Sequence, residues 1–438
     1  MNRIILIGNG FDLAHGLKTS YKDFIDWFWK EKIKSIVFKE TNSPYPDEKY
    51  RYTDDDIVIK LKNKLSFIDV SNYSKLKKIN KHNSLEKFEV KNKFLKIISD
   101  ALSSNDWVDV EELYNKYLQE IIVPPRSGYR EILNIEELNQ YFKTIKEVLE
   151  KYLKEEIVDK SEQKSLDNIL NVIYSRFKLK DFTQIGSERI IEEEYQELEH
   201  YKNFRESLFP QNYRAITDYL LRNLEANNIP ITKQEIKRLL ITQSGFSSDF
   251  HLLPKEILFL NFNYTNTENS YSEYNYFKDK SERLNSKMII EKDTIHIHGE
   301  LNNEKNPIIF GYGDEIADGY KVIENKNDNQ FLENIKSIKY LETDNYKRLL
   351  SFIDSDYYQI FIMGHSCGLS DRTLLNKLFE HEHCVSIKVF YHQKHETDDN
   401  YSEVIRNISR NFNDKAVMRE KVVNKQYCEP LLNIRHGS

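Results

Sequence analysis

Cysteine is scarce in this 438-residue chain, and no segment is apolar enough to cross a bilayer. The three cysteines, Cys367, Cys384 and Cys428, are odd in number and form no Cys-x-x-Cys pair, which argues against a disulfide framework and a structural zinc site. A membrane-spanning helix needs about 20 apolar residues, and no run approaches that length. The apolar run Ile4–Ile7 is too short for a signal peptide and leads directly into glycines. We therefore expect a cytoplasmic protein without a membrane partner.

The chain also lacks a large excess of charge of either sign. Its 64 lysines and arginines nearly balance 70 aspartates and glutamates, and the formal net charge of −6 is dispersed. Nucleic acids and anionic membranes are bound through clustered positive charge, so the composition argues against both as partners. The length allows one large α/β domain with insertions, or two domains.

The most informative feature that is present lies at the N-terminus, where an apolar strand leads into a glycine-rich loop and then a helix. Residues 3–7 are typical of a short buried strand. Gly8 and Gly10 then allow a sharp turn and a close approach to a ligand. A helix that begins there directs its free N–H groups at the loop, which favours a phosphate. The run therefore predicts a nucleotide site.

The glycine spacing matches neither of two common nucleotide motifs. A Rossmann fingerprint has glycines at i, i+2 and i+5, but Leu13 stands at the third position and the next glycine is Gly16. In a P-loop the lysine directly follows a glycine, whereas Leu17 separates Gly16 from Lys18. An NTPase is therefore disfavoured. A tight strand-to-helix turn without a ligand stays open as an alternative.

The middle of the chain is predicted to be mostly helical. Apolar residues recur at helical spacing in residues 138–153, in residues 107–121 beginning at Trp107, and in a third stripe that comprises Ile216, Tyr219, Leu220 and Leu224. We expect these stripes to form helix cores, and Pro124 to end the second helix. Residues 40–60 and 75–90 are polar and are predicted to be loop-rich surface.

Strand-like sequence returns after residue 256. The segments rich in β-branched and aromatic residues are 257–262, 294–298, 307–310, 357–363 and 385–391. Gly364 opens a turn after the fourth segment, and a helix follows near Arg372 with Ser370 or Asp371 as its expected N-cap. Because parallel strands bind ligands at their carboxyl ends, the turns after these strands are expected to share one crevice.

The predicted fold class is therefore α/β, with a Rossmann-like, mostly parallel sheet and a large helical insertion. Residues 1–30 hold the first strand, the glycine loop and the helix, residues 31–250 form the insertion, and residues 251–438 complete the sheet. The apolar stripes of the insertion exceed what a lid over a site needs. We therefore expect the insertion to support a homo-oligomer.

Five motifs carry a resemblance to a known family. They are Gly-Asn-Gly-Phe-Asp-Leu-Ala-His-Gly-Leu-Lys-Thr-Ser-Tyr (8–21), Trp-Val-Asp-Val-Glu (107–111), Asn-Phe-Asn-Tyr-Thr (261–265), His-Ile-His-Gly-Glu-Leu (296–301) and Gly-His-Ser (364–366). In these motifs the chain resembles the bacterial abortive-infection AbiH family over nearly its whole length. The resemblance implies a role in defence against bacteriophage, in which the infected cell is arrested or dies, with a phage-derived trigger. It does not by itself supply a reaction.

A more distant resemblance is to sirtuin-like NAD-binding domains. These carry, in order, a Gly-x-Gly loop, an Asn block, a His-Gly and a Gly-x-Ser, and this chain has the same order in residues 8–10, 263–264, 298–299 and 364–366. The resemblance implies that His298 and Asn263 are catalytic, with Asn263 positioning the nicotinamide ribose or a water. It also implies that NAD or a related dinucleotide is bound by Gly8, Asn9, Gly10, Phe11, Asp12, Gly16, Thr265, Gly364, Ser366 and Asp371.

Two departures from the sirtuin pattern argue against a protein deacylase. Thr265 replaces an acidic residue, and the zinc-binding cysteines are missing, so no metal is expected. What the resemblance then implies is cleavage of NAD itself. Breaking its N-glycosidic bond develops oxocarbenium charge on the ribose. Histidine, whose unperturbed pKa is about 6.5, suits the role of a base near neutral pH.

Each of these residues can also be interpreted as having a purely structural role. His298 can bond a buried carbonyl at a strand end, and Asn263 can stabilise a turn. Asp12 can cap the following helix or bond a ribose hydroxyl. His296 shares a face with His298 if the strand is regular, and we expect it to be structural.

Other chemistries stay open. Residues 364–368 fit the Gly-x-Ser-x-Gly nucleophile elbow, with Ser366 as nucleophile, His365 and Asp371 nearby and further histidines downstream. This hydrolase hypothesis leaves the N-terminal loop unexplained, and Cys367 has no stronger support as a nucleophile. His381 and His383 lack the i, i+4 spacing of two metal ligands on a helix. Three functions remain: NAD hydrolysis, nucleotide sensing through a partner without catalysis, and a hydrolase or nuclease acting on another substrate.

Overall fold

The computed structural model describes most of the chain. The described residues are 1–42, 51–61, 73–81, 85–103, 109–123, 125, 131–132, 134–160, 164–204, 215–242, 250, 252–274, 290–316 and 319–432. Their strands are β1 (Asn2–Ile7), β2 (Arg51–Thr53), β3 (Ile57–Leu61), β4 (Leu85–Val90), β5 (Glu256–Asn261), β6 (Glu291–His296), β7 (Tyr358–Met363), β8 (Cys384–Tyr391), β9 (Gln393–His395), β10 (Asp398–Asp399) and β11 (Glu429–Pro430).

Helices account for much of the rest. The α-helices are α1 (Asn9–Ala14), α2 (Tyr21–Asn42), α3 (Tyr73–Lys81), α4 (Lys93–Ser103), α5 (Val110–Ile122), α6 (Ile135–Tyr152), α7 (Asp167–Ile173), α8 (Gln184–Phe204), α9 (Ala215–Ala226), α10 (Lys233–Ile241), α11 (Asn269–Ser272), α12 (Tyr320–Glu324), α13 (Lys336–Lys339), α14 (Asn345–Ser355), α15 (Arg372–Glu380), α16 (Tyr401–Asn411) and α17 (Lys415–Lys421). A π-helical turn continues α6, and 3₁₀ turns cover Val158–Lys160, Leu179–Asp181, Asn329–Leu332, Leu369–Asp371 and Lys425–Tyr427.

Six parallel strands form the main sheet, in the order β6-β5-β1-β7-β8-β11. Starting from β1, the chain adds β5 and β6 on one side and then β7, β8 and β11 on the other. This is the 3-2-1-4-5-6 order of the Rossmann fold, which binds ligands at the carboxyl ends of its strands where the order reverses. The fold is therefore Rossmann-like α/β, as the sequence predicts.

The strands at the centre of this sheet are buried on both faces. Every residue of β1 and β7 is buried, which explains their nearly uninterrupted apolar sequences. On one face, Ile5, Phe259 and Phe361 pack with Ile169 and Ile173 of α7. Burial of apolar side chains is the main favourable term in folding, so this cluster holds α7 on the sheet.

Four of the five strand segments predicted in the second half are confirmed, as β5, β6, β7 and β8, to within three residues at each end. The prediction for residues 307–310 is wrong, because these residues form no strand. Pro307 has no N–H to donate to a ladder. Phe310 is buried by stacking on Phe142, with 4.4 Å between ring centroids. The apolar sequence of residues 308–310 therefore indicated burial correctly, but these residues are buried without pairing as a strand.

The chain divides into two compact units. The first comprises residues 1–15, 162–308 and 340–438 and contains the six-stranded sheet, and the second comprises residues 16–161 and 309–339. The division differs from the boundaries expected from the sequence, because residues 164–250 group with the sheet. They do so because α7 packs on it and because the Thr183 N–H donates to the Val385 carbonyl at 3.0 Å.

The third predicted stripe lies on α9, in the first unit. Leu220 and Leu224 are buried in a cluster with residues of α8 and α10, as predicted. The assignment of Tyr219 to the core is wrong, since 59% of this residue is exposed. Tyr219 lies at the margin of the stripe, about 100° around the helix from Leu220, where its ring reaches solvent.

The second unit contains the other two predicted stripes. Both form helices as predicted, α5 and α6, and α5 ends at Ile122, shortly before Pro124. Tyr114 of α5 and Phe142 of α6 pack with 4.3 Å between ring centroids. Trp107 lies outside the described residues.

A small sheet in the second unit overturns another expectation. The prediction that residues 40–60 and 75–90 are loop-rich is wrong for β2, β3 and β4, which form an antiparallel sheet, and for α3. Ile57 and Ile59 of β3 are fully buried. β2 has only three residues and half of β4 is charged, so the region was predicted to be loop-rich although four of the five residues of β3 are apolar. β3 and β4 are also distant in sequence, so local composition gave no signal of their pairing.

A buried ion pair ties residues 309–339 into the second unit. Lys336 Nζ lies 2.7 Å from Glu111 Oε2, and Lys336 is fully buried. We expect Lys336→Met to lower the free energy of unfolding by about 3–5 kcal/mol, because it leaves a buried carboxylate without its cation. Chemical denaturation of the variant measures this loss. The double variant Lys336→Met/Glu111→Gln is expected to recover most of it, and an equal loss in both would contradict the pairing.

Candidate functional site

Four strands of the first unit end in polar or glycine turns at the carboxyl edge of the sheet. β1 leads into Gly8, β5 into Asn263, β6 into His298 and β7 into Gly364. Because these strands are parallel and adjacent, the turns lie along one edge, beside the point where the strand order reverses. The sequence predicted this shared edge, and the structure brings these four residues to it.

The turns after β1 and β7 pack backbone to backbone. The Gly10 N–H donates to the Gly364 carbonyl at 2.8 Å, and the Gly8 N–H donates to the Met363 carbonyl at 3.2 Å. Gly364 has a φ of +77°, and a Cβ there would lie 2.1 Å from the Phe11 nitrogen. A Cβ on Gly10 would lie 2.8 Å from Gly364 Cα. Glycine is therefore required for these two turns to touch.

This packing gives the glycine loop a structural role. The N–H groups of Gly8, Gly10 and Phe11, which could face a phosphate, all donate to backbone carbonyls. Phe11 is a fully buried core residue, and Asn9 is exposed. Gly16 has a φ of +79° and begins the second unit. Phosphate binding by these loop residues stays a prediction.

Asn263 lies beside the glycine loop and Asp12. Its side-chain amide donates to the Gly8 carbonyl at 3.1 Å, and its backbone N–H donates to the Asn261 side chain at 2.8 Å. The Thr265 hydroxyl donates to Asp12 Oδ2 at 2.5 Å. Asp12 lies inside α1, so the helix-cap alternative for it is wrong. Burial raises the pKa of Asp12 to about 6, although hydrogen bonding by neighbouring side chains opposes the shift.

His296, at the end of β6, is held in a buried network. Its Nε2 lies 2.8 Å from Glu268 Oε1, and Asn261 Nδ2 donates to Glu268 Oε2 at 2.6 Å. Burial alone lowers the pKa of His296, but the hydrogen bond and negative charge of Glu268 outweigh it, and the pKa is raised. These contacts support the structural role expected for His296. Glu268 was missed because no local pattern marks it.

His298 belongs to a second buried cluster, formed with Asp371, His365 and Tyr340. Its Nε2 lies 3.1 Å from Asp371 Oδ1 and 3.2 Å from the Tyr340 hydroxyl. Asp371 Oδ2 lies 3.5 Å from His365 Nε2. The Phe262 ring meets both imidazoles edge-on, with 5.0 Å to His298 and 4.3 Å to His365 between centroids. All five side chains belong to buried residues.

The hydrogen bonds determine where the imidazole protons lie. The Cys367 N–H donates to His365 Nδ1 at 2.9 Å, so a neutral His365 carries its proton on Nε2, facing Asp371. A carboxylate only accepts hydrogen bonds, so His298 also presents an N–H at Nε2. Nδ1 is then the basic nitrogen of a neutral His298. Asp371 occupies the N-cap position of α15, but its side chain contacts the two histidines and makes no cap hydrogen bond.

The structure connects the glycine loop to His298 through His365. A Cβ on Gly8 would lie 2.5 Å from His365 Cα, and Asp371 lies between His365 and His298. The sequence assigned His298 and Asp371 to different tasks, catalysis and dinucleotide binding, and the structure places them in contact. Tyr340 was missed because 42 positions separate it from His298 and no motif surrounds it.

The residues considered for a serine or cysteine nucleophile, or for a metal site, are not placed where those functions need them. Ser366 is exposed, while Cys367 is fully buried and has a φ of +55°. Burial raises the pKa of the Cys367 thiol far above its usual value, which disfavours the thiolate a nucleophile needs. His381 contacts Asp354, and it precedes β8 at the amino edge of the sheet, opposite the candidate site.

Comparison with known proteins identifies the family. A family model described as bacteriophage abortive infection AbiH matches residues 4–393. The chain belongs to the AbiH family. Membership gives this AbiH protein a role in bacteriophage abortive infection, and both buried clusters lie within the matched range. No curated protein and no solved structure matches the chain. Among the described residues, no helix is long and apolar enough to span a bilayer.

Proposed function

We propose that this AbiH protein hydrolyses NAD at the nicotinamide N-glycosidic bond during phage infection. The observation that carries the proposal is the buried His298–Asp371 pair at the carboxyl edge of a Rossmann-ordered sheet. Ligands of such sheets bind at this edge. A histidine that is oriented by a carboxylate is suited to act as a general base. The resemblance of the motif order to sirtuin-like domains supports NAD as the ligand.

The proposed reaction consumes one water molecule. The water oxygen attacks C1′ of the nicotinamide ribose while the C1′–N bond breaks. The electron pair of that bond neutralises the pyridinium ring, so nicotinamide leaves uncharged and ADP-ribose remains. The proton of the attacking water passes to a base and then to solvent. Positive charge develops on the ribose in the transition state, so groups that orient water and hold the ribose accelerate the step.

The site residues have distinct roles in this proposal. His298 accepts a proton at Nδ1 from the water or from a ribose hydroxyl, and Asp371 holds the ring and stabilises the imidazolium that forms. Asn263, fixed by Gly8 and Asn261, positions the ribose or the water. Ser366, whose side chain is exposed, faces the adenosine part of the ligand in the scheme that the sirtuin resemblance implies.

The experiment is incubation of the purified full-length protein with NAD, followed by chromatography of the products. We expect nicotinamide and ADP-ribose to appear in equal amounts. An abortive-infection protein can be inactive until a phage-derived trigger arrives, so NAD is also measured in cells before and after infection. We expect NAD to fall after infection in wild-type cells and to stay constant in Asn263→Ala cells.

The outcomes separate the three functions left open by the sequence. Constant NAD in both settings, with phage defence intact, would contradict the proposal. Tight nucleotide binding without turnover would favour a sensing module that acts through a partner. Cleavage of nucleic acid or of an ester substrate that requires Ser366 would favour the hydrolase or nuclease alternative.

A further inference from the structure

The side chain of Glu268 joins the ends of two neighbouring strands beside Asn263. Its Oε1 lies 2.8 Å from His296 Nε2, and its Oε2 accepts a hydrogen bond from the Asn261 side-chain amide at 2.6 Å. Asn261 ends β5 and His296 ends β6, and the two are register partners in the sheet. Glu268 is fully buried, and its carboxylate therefore holds together two strand ends that border the candidate site.

The contacts of Asn261 orient its side-chain amide. Its Nδ2 donates to Glu268 Oε2 at 2.6 Å and to the Thr265 carbonyl at 2.9 Å. An ionised carboxylate and a carbonyl only accept hydrogen bonds, so the NH2 group faces them and the amide oxygen faces the opposite way. There Oδ1 accepts the backbone N–H of Asn263 at 2.8 Å. Glu268 thus reaches the backbone of Asn263 through one intervening side chain.

Asn263 is held at two points. Asn261 holds its backbone N–H, and the Gly8 carbonyl accepts its side-chain amide at 3.1 Å. The side chain of asparagine is short, so a displaced backbone carries the amide away from Gly8. Misplacing a group by about 1 Å can slow a reaction about 100-fold. The orientation of the Asn261 amide therefore matters for any reaction in which Asn263 takes part.

We propose that Glu268 is a positioning residue, which holds Asn263 in place for the reaction by fixing the Asn261 amide. The assignment rests on the proposed function, in which Asn263 positions the ribose or the water. Glu268 acts through Asn261 and is not itself a catalytic residue. A buried ion pair adds little net stability compared with apolar side chains of similar size. What the carboxylate supplies here is two acceptor oxygens that orient two donors at once.

The backbone of Glu268 has a separate task. Its carbonyl accepts the N–H groups of Tyr271 and Ser272 at 2.8 and 2.9 Å, at the start of α11. Every residue type has this carbonyl, so a substitution of Glu268 keeps the turn and removes only the side-chain contacts. Glu268→Leu removes both acceptor oxygens. Glu268→Gln keeps one acceptor for Asn261, and its NH2 group donates to Nε2 of a neutral His296.

Hydrogen–deuterium exchange of the Asn263 backbone N–H tests the positioning without any turnover. In the wild-type protein this N–H is expected to exchange at least about tenfold slower than in an unfolded peptide, the protection that one buried hydrogen bond provides. In Glu268→Leu we expect most of that protection to be lost, and in Glu268→Gln we expect it to be kept. The amides of β7, in the same unit, are the reference for global unfolding.

Two exchange results would overturn the proposal, whether or not the protein cleaves NAD. One is exchange of the wild-type Asn263 N–H at the rate of an unfolded peptide, which is decided without any variant. The other is full protection of this N–H in folded Glu268→Leu. Absence of NAD turnover contradicts the proposed function instead, and the exchange result still decides whether Glu268 holds Asn263.

Kinetics test the consequence of this positioning when NAD is turned over. Glu268→Leu is expected to lower kcat about 100-fold, the cost of a displacement of about 1 Å, and Glu268→Gln to keep most of the activity. Because the effect passes through Asn263, Glu268→Leu is expected to add little to the loss in Asn263→Ala. An equal further loss in Asn263→Ala would show that Glu268 acts on the fold alone, which overturns the proposal. Glu111→Leu is the matched control, since it removes another buried carboxylate, in the second unit, and is expected to leave kcat unchanged.

Discussion

Replacement of His298 by alanine is expected to lower NAD hydrolysis by about 10²–10⁴-fold, the usual contribution of a general base. His298 Nε2 is bound by Asp371, so the reacting nitrogen in the proposed mechanism is Nδ1, and alanine removes it. Nicotinamide release under saturating NAD measures the effect, and phage plating measures the loss of defence. Circular dichroism confirms that the variant is folded.

Two further variants show whether His298 and Asp371 act together. Asp371→Asn keeps the shape of the side chain but loses the charge that orients the imidazole, so a large part of the same loss is expected. The double variant is expected to be no worse than His298→Ala, because residues that act as a unit are strongly non-additive. His395→Ala, at an exposed position of β9, is the control for a histidine substitution. Full activity in His298→Ala would reject the assignment.

Gly364→Ala is expected to destabilise the first unit by at least about 3 kcal/mol, at the upper end of the range for single substitutions. Its Cβ would lie 2.1 Å from the Phe11 nitrogen and 2.4 Å from the Gly10 carbonyl carbon, which are backbone atoms that cannot move aside. The φ of +77° adds further strain for any residue with a Cβ. Chemical denaturation of the variant measures the loss.

The variant Gly16→Ala separates the steric clash of an added Cβ from the backbone strain of a positive φ. Gly16 has a similar φ of +79°, but nothing lies within 4 Å of the position its Cβ would take. We therefore expect a loss of only about 1–2 kcal/mol from the conformation alone. Equal losses in Gly16→Ala and Gly364→Ala would show that the close packing of the two turns is not what requires glycine.

The fold was predictable where the chain signals its structure locally. Residues 4–7 and 360–363 are unbroken apolar runs because β1 and β7 are buried on both faces. The stripes of α5 and α6 follow the helical period because one face of each helix is buried and the other meets solvent. Residues 307–310 were wrongly predicted to be a strand because they are apolar, and in the structure residues 308–310 are buried without forming one. The short strands β2 to β4 were missed because they lie in mostly polar regions of the sequence, and β4 pairs with β3 from a distant segment.

The site was only partly predictable. The motifs led to Asn263, His298 and Asp371 as separate residues, but gave no indication that His298 and Asp371 touch. Tyr340 and Glu268 stand in no recognisable motif, and their importance follows only from their contacts with His298 and His296. For Gly8 and Gly10 the sequence indicated close approach to a ligand, whereas the structure shows a close approach to another turn.

The sequence by itself determined the family, the α/β class and the set of polar residues that end the strands, because short motifs and hydrophobic periodicity are written in neighbouring residues. Only the tertiary structure decided which of those residues meet. Parallel strands far apart in the chain are joined through long connections, so contacts such as Asp371 with His298, or Thr265 with Asp12, depend on strand order and register. Burial, which raises the pKa of Asp12, is likewise a property of the packed fold and not of the residue's neighbours in sequence.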